Sequence, residues 1–156
     1  METKDDVVGL IAGATGGAIA VAVMQLASAG AAYPPMAIPF ATSIVLVMGS
    51  PAAEPAQPRA LIGGHLLATL IGLAMVQLAG PTPWAAALAV ALAMVAMHWT
   101  RTFHPPAGID PIVVVAYNMP WGFLLLPVAA GAVLLALFAF LWHNLARRGS
   151  WPVRWW

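Results

Sequence analysis

Three observations predict an all-α, polytopic helical membrane protein with two three-segment halves related as an inverted repeat. Only 7% of the 156 residues are charged while 62% are hydrophobic, against roughly 25% charged in an ordinary soluble domain. Apolar stretches of about 20 residues recur, the length a helix needs to cross some 30 Å of hydrocarbon. Two of the linkers between them carry adjacent prolines, Pro34-Pro35 and Pro105-Pro106, each leading into a β-branched run. Mean hydropathy is +0.90, and six basic against five acidic residues leave a net charge of +1. No basic surface can be assembled from so few charges to neutralise a run of phosphates, so nucleic acid is excluded as a partner and the lipid bilayer is expected instead.

The first candidate span covers residues 7–32 without a charge, and its Gly9, Gly13, Gly16 and Gly17 offer small-residue faces for close helix packing. The preceding Met-Glu-Thr-Lys-Asp-Asp is a poor signal-peptide start, so this segment reads as a retained span. Residues 61–79 and 84–100 are the second and third candidates. The fourth, 120–145, carries Pro127 as an expected kink. Two apolar stretches are short: 36–48 would be about 20 Å long as a helix and 112–117 about 9 Å. Each follows a double-proline turn, which lets them cross as tilted or broken helices, or re-enter.

The turns align as an aromatic ring or imidazole, two prolines, a small or apolar pair, isoleucine and a further proline: Tyr33-Pro34-Pro35-Met36-Ala37-Ile38-Pro39 beside His104-Pro105-Pro106-Ala107-Gly108-Ile109-Asp110-Pro111. This divides one domain, 1–156, into halves 7–79 and 84–145 with an interfacial aromatic and basic tail at 146–156. If both short segments cross, the N-terminus, Arg59, Arg101 and Arg147-Arg148 share one side. Basic residues favour the cytoplasmic face, so six passages with both termini inside, in a bacterial-type inner membrane, are expected. Inverted halves of this kind form transporter sites at their interface near the midplane.

Between residues 7 and 146 the charged residues are Glu54, Arg59, Arg101 and Asp110. A charge at membrane depth is costly and marks function by default. Arg101 can attract a small anion while Asp110, nine residues on, tunes or gates it; alternatively Arg101 snorkels to headgroups and Asp110 caps the next helix. His65, following Gly63-Gly64, and His104 can supply hydrogen bonds, as can Thr42 and Ser43, whose hydroxyls can equally bond their own helix. No histidine pair has zinc-like spacing and the chain lacks cysteine, so no metal is expected. Gly13-Ala14-Thr15-Gly16-Gly17 precedes no Lys-Ser/Thr pair and is no nucleotide loop, so no cofactor is expected. No nucleophile elbow is present either, and no enzymatic activity is expected.

Several stretches together resemble the HPP family of small integral membrane proteins, named for its His-Pro-Pro signature. They are Ile38-Pro39-Phe40-Ala41-Thr42-Ser43, then Ala56-Gln57-Pro58-Arg59 continuing to Gly63-Gly64-His65, then Arg101-Thr102-Phe103-His104-Pro105-Pro106-Ala107-Gly108. The resemblance implies a four-helix membrane protein, and, because some plastid and cyanobacterial members are associated with nitrite transport, a nitrite-transporting role. It implies Arg59, His65, His104, Pro105, Pro106 and Gly108 as signature residues. Two departures stand out. The segment 50–57 is longer than the family's usual Ser-Pro-Leu-Ala-Gln, and Asp110 replaces a commonly neutral residue, where an ionised carboxylate would repel an anion.

The expected function is a transporter or channel for a small monovalent anion, nitrite first, working as a homo-oligomer because one small chain leaves little room for a walled pore. The alternatives are a non-transporting structural or accessory membrane protein, or a cation or proton pathway through Asp110 and the histidines.

Overall fold

The computed structural model describes residues 4–28, 37–146 and 149–155, and the fold is all-α. Six helices follow one another: α1 (Lys4–Ser28), α2 (Ala37–Gly49), α3 (Pro58–Ala79), α4 (Pro83–Trp99), α5 (Asp110–Ala116) and α6 (Ala130–Ala146). Short 3-10 turns, Glu54–Ala56 and Pro105–Ile109, precede α3 and α5, and a wide π turn, Leu124–Ala129, leads into α6. Among the described residues, three stretches are long and apolar enough to cross a bilayer: Val7–Ser28, Pro58–Ala79 and Leu124–Leu145, of 22 residues each. The chain is therefore a polytopic membrane protein with three long apolar helices rather than the four full-length candidates read from sequence.

The third candidate, 84–100, is α4, which has the same length of 17 residues, about 25 Å, and is capped at both ends. Thr82 accepts a hydrogen bond from the Ala85 N–H at its start. At its end the Thr102 N–H reaches the Met97 carbonyl and the Arg101 N–H reaches that of His98, a Schellman pattern that satisfies the last carbonyls. Arg101 occupies the left-handed position of this cap, with φ 56°, where glycine is usual.

Helix α3 packs against α4, α5, the π turn and α6. Its partner α4 presents alanines at intervals of four, Ala85, Ala89 and Ala93, then Met97, all fully buried. Small side chains at i, i+4 spacing let two backbones approach without losing contact area. The approach to α5 is closer still. A Cβ on Gly72 would lie 2.9 Å from the Pro111 Cα and 3.1 Å from the Val114 Cβ, so only a bare backbone fits. Helix α1 leans on α2 and α6 and leaves most of its apolar side chains, such as Val8, Leu10 and Leu26, exposed. Of its four glycines, Gly13 meets the Met48 carbonyl and Gly16 the Trp142 ring, whereas nothing lies within 4 Å of Gly9.

The backbone break expected at Pro127 is present: Leu126, just before it, is extended at φ −126° and ψ 110°. The double-proline turn at Pro34 and Pro35 lies outside the described residues, whereas Pro105 and Pro106 open the 3-10 turn before α5.

In the tail, Trp151 is buried against the core while Val153 and Trp155 are exposed, and Gln57 holds the chain beyond Trp151. The Gln57 Oε1 accepts from the Val153 and Arg154 N–H groups at 2.9 and 3.2 Å, while its Nε2 donates to the carbonyls of Pro51 and Ala53. Arg147, Arg148 and Trp156 lie outside the described residues. Trp84, Trp99 and Trp121 are exposed. Trp142 instead donates to the Ala12 carbonyl and braces α6 against α1.

Candidate functional site

Six buried polar residues occur among those described: Ser43, Gln57, His65, Thr69, His104 and Asp110. Gln57 serves the tail. The other five form one connected group where α2, α3, α5 and the segment before the Pro105–Ile109 turn converge.

Helix α3 contributes two of them. His65 and Thr69 are one turn apart and therefore share a face, the same face on which Gly64 and Gly72 open the way for the 102–114 segment. A Cβ on Gly64 would lie 2.7 Å from the His104 Cβ and 2.9 Å from the Thr102 carbonyl oxygen. The absence of a side chain there seats His104 against α3 and brings the two imidazoles to a centroid separation of 5.1 Å.

The hydrogen bonds run in a line. The Asp110 Oδ2 lies 2.7 Å from the His65 Nδ1, and the Thr69 hydroxyl donates to the same oxygen at 3.2 Å. The His65 Nε2 lies 2.8 Å from the Ser43 Oγ, which is 2.9 Å from the His104 Nε2. His104 then donates from Nδ1 to the Pro55 carbonyl at 2.6 Å. Ser43 also approaches the Pro39 carbonyl of its own helix, at 3.0 Å. The chain is buried: Ser43, His65 and His104 are 0% exposed and Asp110 is 1% exposed. Among the described residues, Asp110 Oδ1 has no hydrogen-bond partner.

The remaining sequence candidates lie elsewhere. Thr42 is exposed on α2 and its hydroxyl donates to the Pro39 carbonyl. Arg59 donates from Nη2 to the Thr100 carbonyl at 2.7 Å, next to the exposed Arg101. These two arginines thus border the α4 C-terminus on the protein surface, outside the buried chain. No ion pair joins Arg101 to Asp110 among the described residues; the ion-pair partner of Asp110 is His65. Nor does Asp110 cap its helix, since no side-chain cap bond forms at the start of α5. Gly63 packs against the Thr102 side chain, while Gly108 has open space around it.

Three contributors were not among the sequence candidates. Thr69 was detectable as the residue one turn beyond His65. Phe40, whose ring lies over His65 with centroids 4.5 Å apart, and the Pro55 carbonyl carried no sequence signal. Phe40 also borders an apolar cavity of about 320 Å³ with Ala20, Met24, Ile44, Gly131 and Phe138, so its ring separates this cavity from His65.

Asp110, His65 and Ser43 are bonded in the order of a serine-hydrolase triad. The Ser43 Oγ is nevertheless fully buried and contacted by two imidazoles and a carbonyl, leaving no approach for an acyl group. Among the described residues no group of three or more His, Cys, Asp or Glu side chains is arranged to hold a metal ion. The arrangement is suited to holding and relaying hydrogen bonds inside a membrane domain.

A family model described as "HPP, transmembrane region" matches residues 2–152. Two proteins of Dictyostelium discoideum, each named as a transmembrane protein, are 40% and 36% identical to the chain over 125 residues. The aligned region covers 75% of this chain but only 40% and 44% of theirs, so the chain spans less than half the length of these relatives. No solved structure matches.

Proposed function

The chain belongs to the HPP family of transmembrane proteins, and from that premise we propose that it is a transporter or channel for a small monovalent anion, nitrite the leading candidate. The observation that carries this reading is the buried chain Asp110–His65–Ser43–His104. Polar and ionisable groups inside a membrane domain are costly and typically line substrate or proton routes. Arg59 and Arg101 supply positive potential at the α4 end, where an anion would first be attracted. The inverted-repeat division into halves 7–79 and 84–145 is part of the proposal, as are cytoplasmic termini and a bacterial-type inner membrane; the two relatives are eukaryotic and lend the last no support.

The test is nitrite uptake into proteoliposomes against empty liposomes. Uptake should be protein-dependent and saturable. Arg101→Gln should lower it several-fold at low ionic strength and much less at high salt, because an exposed charge is screened beyond about 10 Å at 0.1 M. Equal uptake by the variant at low salt would remove Arg101 from the pathway.

A second reading is supported by the complete burial of the polar chain: a structural or accessory membrane protein in which it braces three helices. Folded protein that moves neither nitrite nor other small anions would favour it.

We further propose that the functional unit is a homo-oligomer, since one chain of 156 residues leaves little room for a pore with packed walls. Light scattering in detergent should give a protein mass of at least two chains; a monomer that still transports would refute this.

A further inference from the structure

The distances around Ser43 impose a proton count. The Pro55 carbonyl can only accept, so the His104 Nδ1 must carry a hydrogen. The contacts Asp110 Oδ2–His65 Nδ1, His65 Nε2–Ser43 Oγ and Ser43 Oγ–His104 Nε2, at 2.7, 2.8 and 2.9 Å, each need one more. An ionised Asp110, two neutral imidazoles and one hydroxyl supply only three hydrogens for these four bonds. One link would then set lone pair against lone pair at hydrogen-bond distance between fully buried side chains. Turning the Ser43 hydrogen toward the Pro39 carbonyl raises the number needed.

We infer that Asp110, His65, Ser43 and His104 together bind one additional proton, forming a net-neutral proton site and relay within the membrane domain. Its role in coupling rests on the transport reading above, whereas the proton count rests on the distances alone.

Four hydrogens can be arranged in either sense. In one, a protonated Asp110 donates to the His65 Nδ1, the His65 Nε2–H to Ser43, and the Ser43 hydroxyl to the His104 Nε2. Each of the three donors then passes its proton along its own bond. The Asp110 proton moves to the His65 Nδ1, the His65 Nε2 proton to the Ser43 Oγ, and the Ser43 proton to the His104 Nε2. Asp110 is left as a carboxylate and His104 doubly protonated, still donating to Pro55, with every contact again made. The proton has in effect crossed from α5 to the segment beside the Glu54–Ala56 turn. An intermediate arrangement, carboxylate Asp110 paired with doubly protonated His65, has the same count.

Among the described residues, no ion pair other than His65–Asp110 reaches this group. Glu54 is exposed, Arg59 is bonded to Thr100 on the surface and His98 is exposed. The buried polar neighbour, Thr69, donates to Asp110 and cannot take the proton permanently. A neutral carboxyl at Asp110 also removes the repulsion that an ionised one would exert on an anion.

The experiment is solid-state NMR of reconstituted, histidine-15N-labelled protein near neutral pH, combined with infrared detection of a protonated carboxyl band. His98→Gln and His143→Gln variants assign the other two histidines, and Asp110→Asn assigns the carboxyl band. The ring N–H groups of His65 and His104 plus one for a protonated Asp110 should total three, in any of the arrangements. A total of two would overturn the inference, whatever the nitrite flux. Nitrite uptake by the same proteoliposomes is recorded in parallel: a total of three without flux upholds the proton site and removes the transport reading. Flux with a total of two does the reverse.

Discussion

The His65→Leu protein should melt far below its parent and carry no anion. His65 is fully buried and joins Asp110 on one side to Ser43 on the other, so leucine removes both links at once. Asp110 would keep only the weak Thr69 contact. In the arrangements where Asp110 is a carboxylate, removing its buried partner costs about 3–5 kcal/mol because the charge is left desolvated and unpaired; where it is protonated, a buried donor is left unsatisfied at about 1–3 kcal/mol. Adding Asp110→Asn to His65→Leu should recover part of that loss, since an amide cannot ionise. The signature is therefore non-additivity: the double variant should be more stable than the sum of the single losses predicts. Thermal unfolding in detergent, followed by tryptophan fluorescence for all four proteins, measures it. Strict additivity, or a His65→Leu protein as stable as its parent, would mean that the His65–Asp110 contact contributes little.

Gly72→Leu should prevent folding through a different route. Its Cβ alone would sit 2.9 Å from the Pro111 Cα, and the atom in the way is backbone that cannot rotate aside. One extra methyl group in such a site costs roughly 1–3 kcal/mol; a leucine must push α5 off α3. Because Asp110 is the residue before Pro111, that displacement also pulls the carboxyl away from His65. Gly9→Leu is the matched control, as nothing lies within 4 Å of Gly9. Size-exclusion chromatography should find Gly9→Leu monodisperse and Gly72→Leu aggregated. Indistinguishable profiles would refute the close α3–α5 approach.

The class of protein was legible at once because it depends on composition: too few charges to face water and repeated apolar stretches of spanning length. The breaks were legible for a similarly local reason, since Pro127 cannot continue a helix hydrogen-bond ladder wherever it sits. The stop of α4 was less so, because a Schellman turn built on Arg101 rather than on glycine has no clear sequence signature. The burial of Trp151 was illegible for another reason: Gln57, far earlier in the chain, holds the Val153 and Arg154 N–H groups, and nothing in the composition of the tail signals that partner.

Ser43, His65, His104 and Asp110 each drew attention alone, because a polar residue in an apolar setting needs a partner. The sequence could not say which partner. Proximity along the chain joined Arg101 to Asp110, nine residues apart, whereas the structure joins Asp110 to His65, 45 residues away. Burial cost, acting through residue type, determined that these groups had to be satisfied somewhere. Which atoms satisfy them was decided only by tertiary packing, because Gly64 and Gly72 let the backbones of separate segments meet and so set which polar atoms come within hydrogen-bond range.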